Sequence, residues 1–299
     1  MIFFYSEISC IQNYIDMVAK LLWREPTRTI IRQLCRSHST TSTSGTQMTS
    51  AGIIVVGDEI LRGEVLDTNS HYLSRELHKM GVQMKKISVI GDKVESVSEE
   101  VKYFSGSFHY VLTTGGIGPT HDDITYEAVA KAFNEKLILN PVLRDICLKF
   151  YDTTNVDCPG MKLAYIPQSA QLNYNTEAQS SNMTYPNVSI NNVYMFPGIP
   201  ELLRKSFSNI KDTLFKSKES FYSKCIFLNT TEDRIVHILD ILVKEFPEVQ
   251  FGSYPKLFDE RYKIKVTMES CKEECTRKAY EKLMELLPED FIVNISDTS

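Results

Sequence analysis

The sequence predicts a three-layer α/β/α protein with a mainly parallel sheet, joined to a small C-terminal α+β unit. Three observations carry that reading. From residue 51 to about 125, short β-branched apolar runs alternate with amphipathic segments of helical period, in the order strand, helix, strand, helix, strand, loop, helix. Such alternation builds a parallel sheet covered on both faces. The logic returns at 191–207, "NNVYMFPGIPELLRKSF", as a strand, a Pro-Gly turn and a helix entered through Pro200. Beyond residue 216 the rhythm changes to a compact strand–helix–strand–helix–strand unit over 217–299.

The first fifty residues stand apart. "MVAKLLWREPTRTIIRQLCRSHSTTSTSGTQ", 17–47, places Arg24, Arg28, Arg32 and Arg36 four residues apart, along one face of a helix. Glu25 is its only acid, and a Ser/Thr tract follows. An Arg-rich, Ser-rich, acid-poor amphipathic segment has the composition of a mitochondrial transit peptide; a disordered tail is the plainer alternative. The expectation is a mitochondrial long form and a cytoplasmic form started at Met48, with residues 1–50 outside the working domain.

"GIIVVG", 52–57, is apolar and β-branched and reads as a buried strand. "DTNSHYLSRELHKMG" opens on the capping types Asp67, Thr68 and Asn69, spaces Leu73, Leu77 and Met80 helically, and stops at Gly81. "VQMKKISVIG", 82–91, is strand-like, and Val94, Val97, Val101 and Phe104 share the next helical face. "HYVLTT", 109–114, is the third strand, and a helix is expected from Asp123 or Ile124. Asn140 followed by Pro141 predicts a helix over 141–151, and the polar stretch 176–187 a surface loop. In the second unit the expected strands are 223–229, 262–268 and 291–295, the helices 231–246 and 271–287, with "GSYP", 252–255, as a turn.

Composition sets bounds. The chain has 299 residues, 42% of them hydrophobic and 24% charged, with a formal net charge of -5. No basic run is long enough for a nucleic-acid footprint, and no apolar run is long enough to span a bilayer. The seven cysteines are scattered without zinc spacing and read as free thiols.

The chemistry concentrates in "TTGGIGPTHDD", 113–123. Gly115, Gly116 and Gly118 allow close backbone approach, and their amides with the following helix start make a natural anion site. A tight structural turn is the plainer explanation of such a loop. No Gly-Lys-Ser/Thr follows, so it is not a P-loop. In a parallel sheet ligands bind beyond the carboxyl ends of the strands, which brings the loops at 57–69, 91–93 and 114–125 to one rim, with Pro197 and Gly198. Expected substrate contacts are therefore Gly57, Asn69, Thr114, the three loop glycines, Pro119, Thr120, Pro197 and Gly198. Carboxylates from separate strand ends beside a phosphate cradle suit a divalent cation bridging protein and pyrophosphate, and Asp58, Glu59, Asp122 and Asp123 are the expected ligands, with Asp92 at the same rim. Asp123 has a second reading as a helix N-cap, as do Asp67 and Asn69. His121 reads as an exposed loop residue, or alternatively as a general acid.

"VVGDEILRGEVLDTN", "TTGGIGPTHDDITYEA" and "FPGIPELL" together resemble the molybdopterin-binding (MoaB/Mog-like, CinA-type) domain family, in the form found at the N-terminus of animal FAD synthase. The resemblance runs from about Ala51 to the end and includes "GSYP". It implies a three-layer core over 51–216 and an accessory domain over 217–299. It implies that Asp92 and Asp123 align with aspartates essential to molybdopterin adenylyl transfer. It also implies metal-supported hydrolysis of FAD to FMN and AMP, with Mg²⁺ or Co²⁺ as cofactor. No stretch of this chain resembles the PAPS-reductase-like domain that joins AMP to FMN, nor a deamidase domain. Where adenylating relatives often carry basic residues, this chain has His121 and Asp122, which favours a dinucleotide pyrophosphate over a pterin phosphate.

The resulting expectation is an FAD pyrophosphatase in which Asp123, Asp92 and Asp58 are catalytic, with a dinucleotide or pterin as small-molecule partner and a homo-oligomeric assembly. The alternatives are molybdopterin binding with adenylyl transfer, and a non-catalytic FAD-binding regulator of a separate synthase.

Overall fold

The computed structural model describes residues 48–174, 185–256 and 261–293. The chain divides into two compact units, Met1–Gln47 and Met48–Ser299; the expected transit segment lies outside the described residues. No helix among those residues is long and apolar enough to cross a membrane.

A six-stranded sheet forms the centre of the first half. Its strands are β1 (Ser50–Val56), β2 (Gln83–Ile90), β3 (Tyr110–Thr114), β6 (Gln171–Asn173), β7 (Asn187–Ile190) and β8 (Val193–Phe196), in spatial order β2-β1-β3-β8-β7-β6. A two-stranded ribbon, β4 (Leu137–Leu139) with β5 (Tyr165–Pro167), lies apart from it. The β2, β1, β3 and β8 strands are mutually parallel, and β7 and β6 extend the sheet in antiparallel fashion.

Every residue of β1 is buried, as the apolar run requires of a central parallel strand covered on both faces. Alternation along it decides which layer each side chain joins. Ile54 and Val56 pack with Val97, Val101 and Phe104 of α3 (Val94–Ser107) and with Ala128 and Val129 of α4 (Thr125–Ala132). Ile53 and Val55 pack with Leu73 and Leu77 of α2 (Asn69–Lys79) and with Leu203, Phe207 and Ile210 of α6 (Pro200–Leu214). Phe104 and Phe207 are fully buried, and truncating either to alanine is expected to cost about 3–5 kcal/mol. A short helix, α1 (Asp58–Leu61), follows β1 directly.

The helix expected at 141–151 is α5 (Pro141–Phe150), and the Asn140 side chain caps it by accepting from the amides of Val142 and Leu143. Two other capping expectations are corrected. The α4 helix begins at Thr125, with Ile124 at its cap position and no side-chain cap. For α2, the capping carboxylate is that of Asp67, which accepts from the Asn69 and Ser70 amides, while Asn69 is the buried first residue of the helix. The expected loop at 176–187 is shortened at its far end, since β7 already begins at Asn187; residues 175–184 lie outside those described.

The C-terminal unit is a four-stranded antiparallel sheet, in order β10-β11-β9-β12, made of β9 (Tyr222–Leu228), β10 (Gln250–Pro255), β11 (Ile264–Ser270) and β12 (Ile292–Val293). Helices α7 (Val236–Glu245) and α8 (Glu273–Leu286) cover one face, with Leu242 and Leu283 packed on Ile226, Val266 and Met268. "GSYP" is not a turn but the end of β10, paired from Gly252↔Thr267 to Pro255↔Ile264. Glycine and proline are tolerated there because β10 is an edge strand. His78 of α2 joins this unit to the larger sheet: its ring stacks on Phe221 at 4.5 Å, and its Nε2 lies 3.0 Å from Glu269 Oε1.

Candidate functional site at the carboxyl rim of the sheet

Chain direction along the sheet reverses between β1 and β3. From β1 the chain moves outward to β2, then returns to place β3 on β1's other side. The carboxyl ends of β1 and β3 at such a reversal are the usual ligand position in these sheets. Gly57 and Asp58 leave β1 there, and the glycine loop leaves β3.

The loop is fitted to its neighbours at short range. Gly115 has φ +98 and Gly116 φ +61, both in the left-handed region. A Cβ on Gly115 would stand 2.0 Å from the Val56 carbonyl oxygen, and one on Gly116 would stand 2.5 Å from Thr125 Oγ1. The backbone of β1 thus occupies the space a side chain on Gly115 would need, and the Thr125 side chain occupies that beside Gly116. Thr125 closes the loop from behind: its amide donates to Gly116 O at 3.0 Å and its hydroxyl to Gly115 O at 2.8 Å.

Not every loop amide is available to a ligand. The Gly115 N–H donates to Phe196 O at 3.2 Å, so it belongs to the sheet and not to the expected cradle. The amides of Gly116, Ile117 and Gly118 have no acceptor among the described residues. Successive turn amides without acceptors are the backbone from which anion-binding concavities are built. Pro119 and Thr120 are exposed on the far side of the loop.

Around the cradle the strand ends are tied together. Asn69 Nδ2 donates to Gly198 O at 2.7 Å and to Thr114 Oγ1 at 3.0 Å, and Thr114 Oγ1 donates to Pro197 O at 3.2 Å. Gly198 lies against Gly115, where a Cβ would meet Gly115 Cα at 3.3 Å. Asn69 is 8% exposed, yet its Oδ1 has no hydrogen-bond partner among the described residues. A buried acceptor without a donor carries a desolvation cost.

The carboxylates fall into two groups. Asp58 and Asp92 clasp each other's backbone: the Asp58 amide donates to Asp92 Oδ2 at 2.9 Å, and the Asp92 amide to Asp58 Oδ1 at 3.3 Å. Asp123 instead turns back over the loop, where its Oδ2 accepts from the Thr120 amide at 2.8 Å and the Thr120 hydroxyl at 2.6 Å. It also fills the space beside Gly118, where a Cβ would stand 2.3 Å from Asp123 Oδ2. The Glu59 carboxylate packs beside Gly57. Asp122 points to solvent near His121, whose side chain is 99% exposed. Lys162 reaches the loop from the other side and donates to Thr120 O.

Among the described residues, no three His, Cys, Asp or Glu side chains converge as a metal-binding group. The expected set of Asp58, Glu59, Asp122 and Asp123 is therefore not a cage built by the protein alone. One or two carboxylates facing a phosphate cradle do fit Mg²⁺, which is commonly held by that number of carboxylates plus substrate phosphate oxygens. Of the clasped and loop carboxylates, no sequence signal marked the reciprocal Asp58–Asp92 pairing, and Lys162 carried no motif at all.

A mainly parallel sheet with a glycine loop at its switch point and aspartates at neighbouring strand ends defines an α/β domain whose ligand position is that rim. Residues 52–216 match the family described as "Probable molybdopterin binding domain", and the chain belongs to that family. Residues 220–296 match the family described as "FAD synthase, middle domain". The chain is 36% identical over 261 residues to a "Probable FAD synthase" of Caenorhabditis elegans, covering 81% of this chain and 50% of that protein. It is 35% identical over 181 residues to a "CinA-like protein" of Thermotoga neapolitana, covering 58% of this chain and 43% of that one. The chain thus spans about half the length, or less, of these curated relatives. Among solved structures, the CinA protein of unknown function from Thermoplasma acidophilum superposes with a TM-score of 0.51 at 24% identity, over 56% of this chain and 99% of that one. That likeness establishes the shared α/β fold.

Proposed function

We propose that this chain acts in FAD metabolism by hydrolysing the pyrophosphate of FAD to FMN and AMP. The observation that carries the reading is the row of unpartnered amides at Gly116, Ile117 and Gly118, beside the Asp58–Asp92 clasp and Asp123. The FAD synthase-like sequence supports the choice of dinucleotide. The three amides hold oxygens of one phosphate and stabilise the charge that develops there. A water molecule attacks one phosphorus in line, a new P–O bond forms, and the bridging P–O bond breaks with its oxygen leaving on the other nucleotide. Mg²⁺ or Co²⁺, held by Asp123 or Asp58 together with substrate oxygens, would supply neutralisation of the pyrophosphate charge. The test is incubation of the full chain with FAD and either metal, with FMN and AMP separated and measured.

A second reading is favoured by one finding, the family description itself: pterin-phosphate binding with adenylyl transfer on the same amides. Inertness towards FAD with binding of molybdopterin selects it. Binding of FAD without products selects a non-catalytic regulator.

We further infer, from the spaced arginines Arg24 to Arg36, that residues 1–47 direct a mitochondrial form and that initiation at Met48 gives a cytoplasmic one. A reporter fused after residue 47 that stays in the cytoplasm from either Met1 or Met17 contradicts this.

A further inference from the structure

Directly beside the amide cradle lies a cavity of about 500 Å³. Ile117 belongs to both: its amide is one of the three unpartnered donors, and its side chain lines the cavity. Pro197, whose carbonyl accepts from Thr114 at the rim, lines it as well. Met195 and Tyr126, both buried, form part of its wall, and Leu202 of α6 completes it on the solvent side, half exposed. The cavity opens at the carboxyl end of β8, on the same rim as the glycine loop.

Its lining is predominantly hydrocarbon. Three tyrosines contribute, Tyr126, Tyr151 and Tyr185; the hydroxyls of Tyr126 and Tyr185 are committed elsewhere, since they bond each other at 3.1 Å and Tyr185 donates to Leu163 O at 2.6 Å. Burial raises both phenols above their ordinary pKa, so they stay neutral. Lys205 and Asn209 of α6 supply donors at the border. Cavities of a few hundred Å³ with apolar walls and a few polar groups are the usual form of a small-molecule site.

Resting on the proposed FAD reaction, we propose that this cavity holds the isoalloxazine ring of the flavin nucleotide while the cradle holds its phosphate. Ile117 makes the two subsites contiguous, so the occupant must join an anion to an apolar plane. A fused three-ring system occupies more of the volume than a single purine and gains the corresponding contacts with the apolar lining. Lys149, Lys205 and Asn209 supply donors that match the ring's carbonyl oxygens, and the apolar remainder of the lining matches its faces.

Riboflavin tests this, because it carries the ring without any phosphate. Flavin fluorescence is titrated with the full chain in metal-free buffer, using riboflavin, FMN and, by competition, AMP. Wild type is expected to quench riboflavin saturably. Leu202→Glu, an exposed position outside the core, is expected to weaken riboflavin and FMN at least tenfold, with AMP affinity and thermal melting unchanged. Leu202→Met is expected to restore flavin binding. Absence of riboflavin binding by wild type, or a loss confined to AMP, overturns the assignment. So does a Leu202→Glu protein that binds flavin normally but sediments as a smaller species, which would give this face to a second copy of the chain. Riboflavin cannot be hydrolysed here, so the ring site and the reaction fail separately. Riboflavin binding without FAD cleavage refutes only the reaction; cleavage without riboflavin binding refutes only the ring site.

Discussion

The backbone amide of Asp58 donates to the Asp92 carboxylate at 2.9 Å, and the amide of Asp92 donates to the Asp58 carboxylate at 3.3 Å. Each aspartate therefore holds the other's strand end, and the clasp joins the carboxyl ends of β1 and β2 at the rim. Asparagine can still accept from an amide, but it carries no charge. Asp92→Asn should leave the fold intact and slow FAD cleavage by about a hundredfold, equivalent to roughly 2.7 kcal/mol of transition-state stabilisation. Asp92→Ala should in addition lower stability by about 1 kcal/mol through the lost acceptor. Melting curves beside steady-state rates check both; equal rates in wild type and Asp92→Asn would leave the clasp a purely structural device.

The second and third loop glycines, Gly116 and Gly118, make separable predictions. Gly116 sits at φ +61 with Thr125 Oγ1 in the place of a Cβ, so Gly116→Val should both melt earlier, by about 1–3 kcal/mol or more, and lose nucleotide binding. Gly118 faces only the Asp123 carboxylate. Gly118→Ala should displace that carboxylate and impair turnover while melting near the wild-type temperature. Wild-type turnover in Gly118→Ala would show that Asp123 need not stand where it does.

Stability at low pH should depend on Glu76. Its carboxylate accepts from Lys79 and Lys211, each at 2.7 Å, and so joins α2 to α6. Hydrogen bonding from Lys211, then from Lys79, lowers its pKa below the ordinary 4.5. A depressed folded-state pKa stabilises the fold above the unfolded value, and that contribution disappears as pH falls through the folded value. The melting temperature of wild type should therefore exceed that of Glu76→Gln at neutral pH, by a few degrees. The gap should shrink as pH falls below 4.5 and close once pH has passed the lowered folded value, where both residues are neutral. A gap that does not change with pH would assign the difference to packing.

Much of the fold was legible because its signals are local. The β1 run is apolar throughout because both faces of that strand are covered, and Asn140–Pro141 announced α5 with a cap that needs only neighbouring amides. The misreadings share one cause, which is dependence on a distant partner. "GSYP" carries turn residues, and its strand character exists only through pairing with β11. Asp123 is a capping residue type, but which amide it serves, Thr120 rather than the start of α4, is set by the path of the loop. The Gly115 amide was expected in the cradle and is instead taken by Phe196, from a strand some eighty residues further on. The Asp58–Asp92 clasp depends on β1–β2 register, and the cavity beside Ile117 on residues as far apart as Tyr126 and Asn209.

In the proposed cleavage of FAD at this rim, Asp123 takes part through its charge. The most direct test is the release of FMN and AMP from FAD by the full chain and by Asp123→Asn across a range of Mg²⁺ and Co²⁺ concentrations. Thermal melting of each protein accompanies the assay, with Asp157→Asn as the control. The Asn155 side chain accepts from the Asp157 amide, an interaction the substitution leaves in place. Wild type and Asp157→Asn should yield FMN and AMP in equal amounts. Asp123→Asn, which can still accept from the Thr120 amide, should melt near wild type and turn over at least about a hundredfold more slowly at every metal concentration. No FMN from wild type, or a wild-type rate from Asp123→Asn at every metal concentration, would contradict the account.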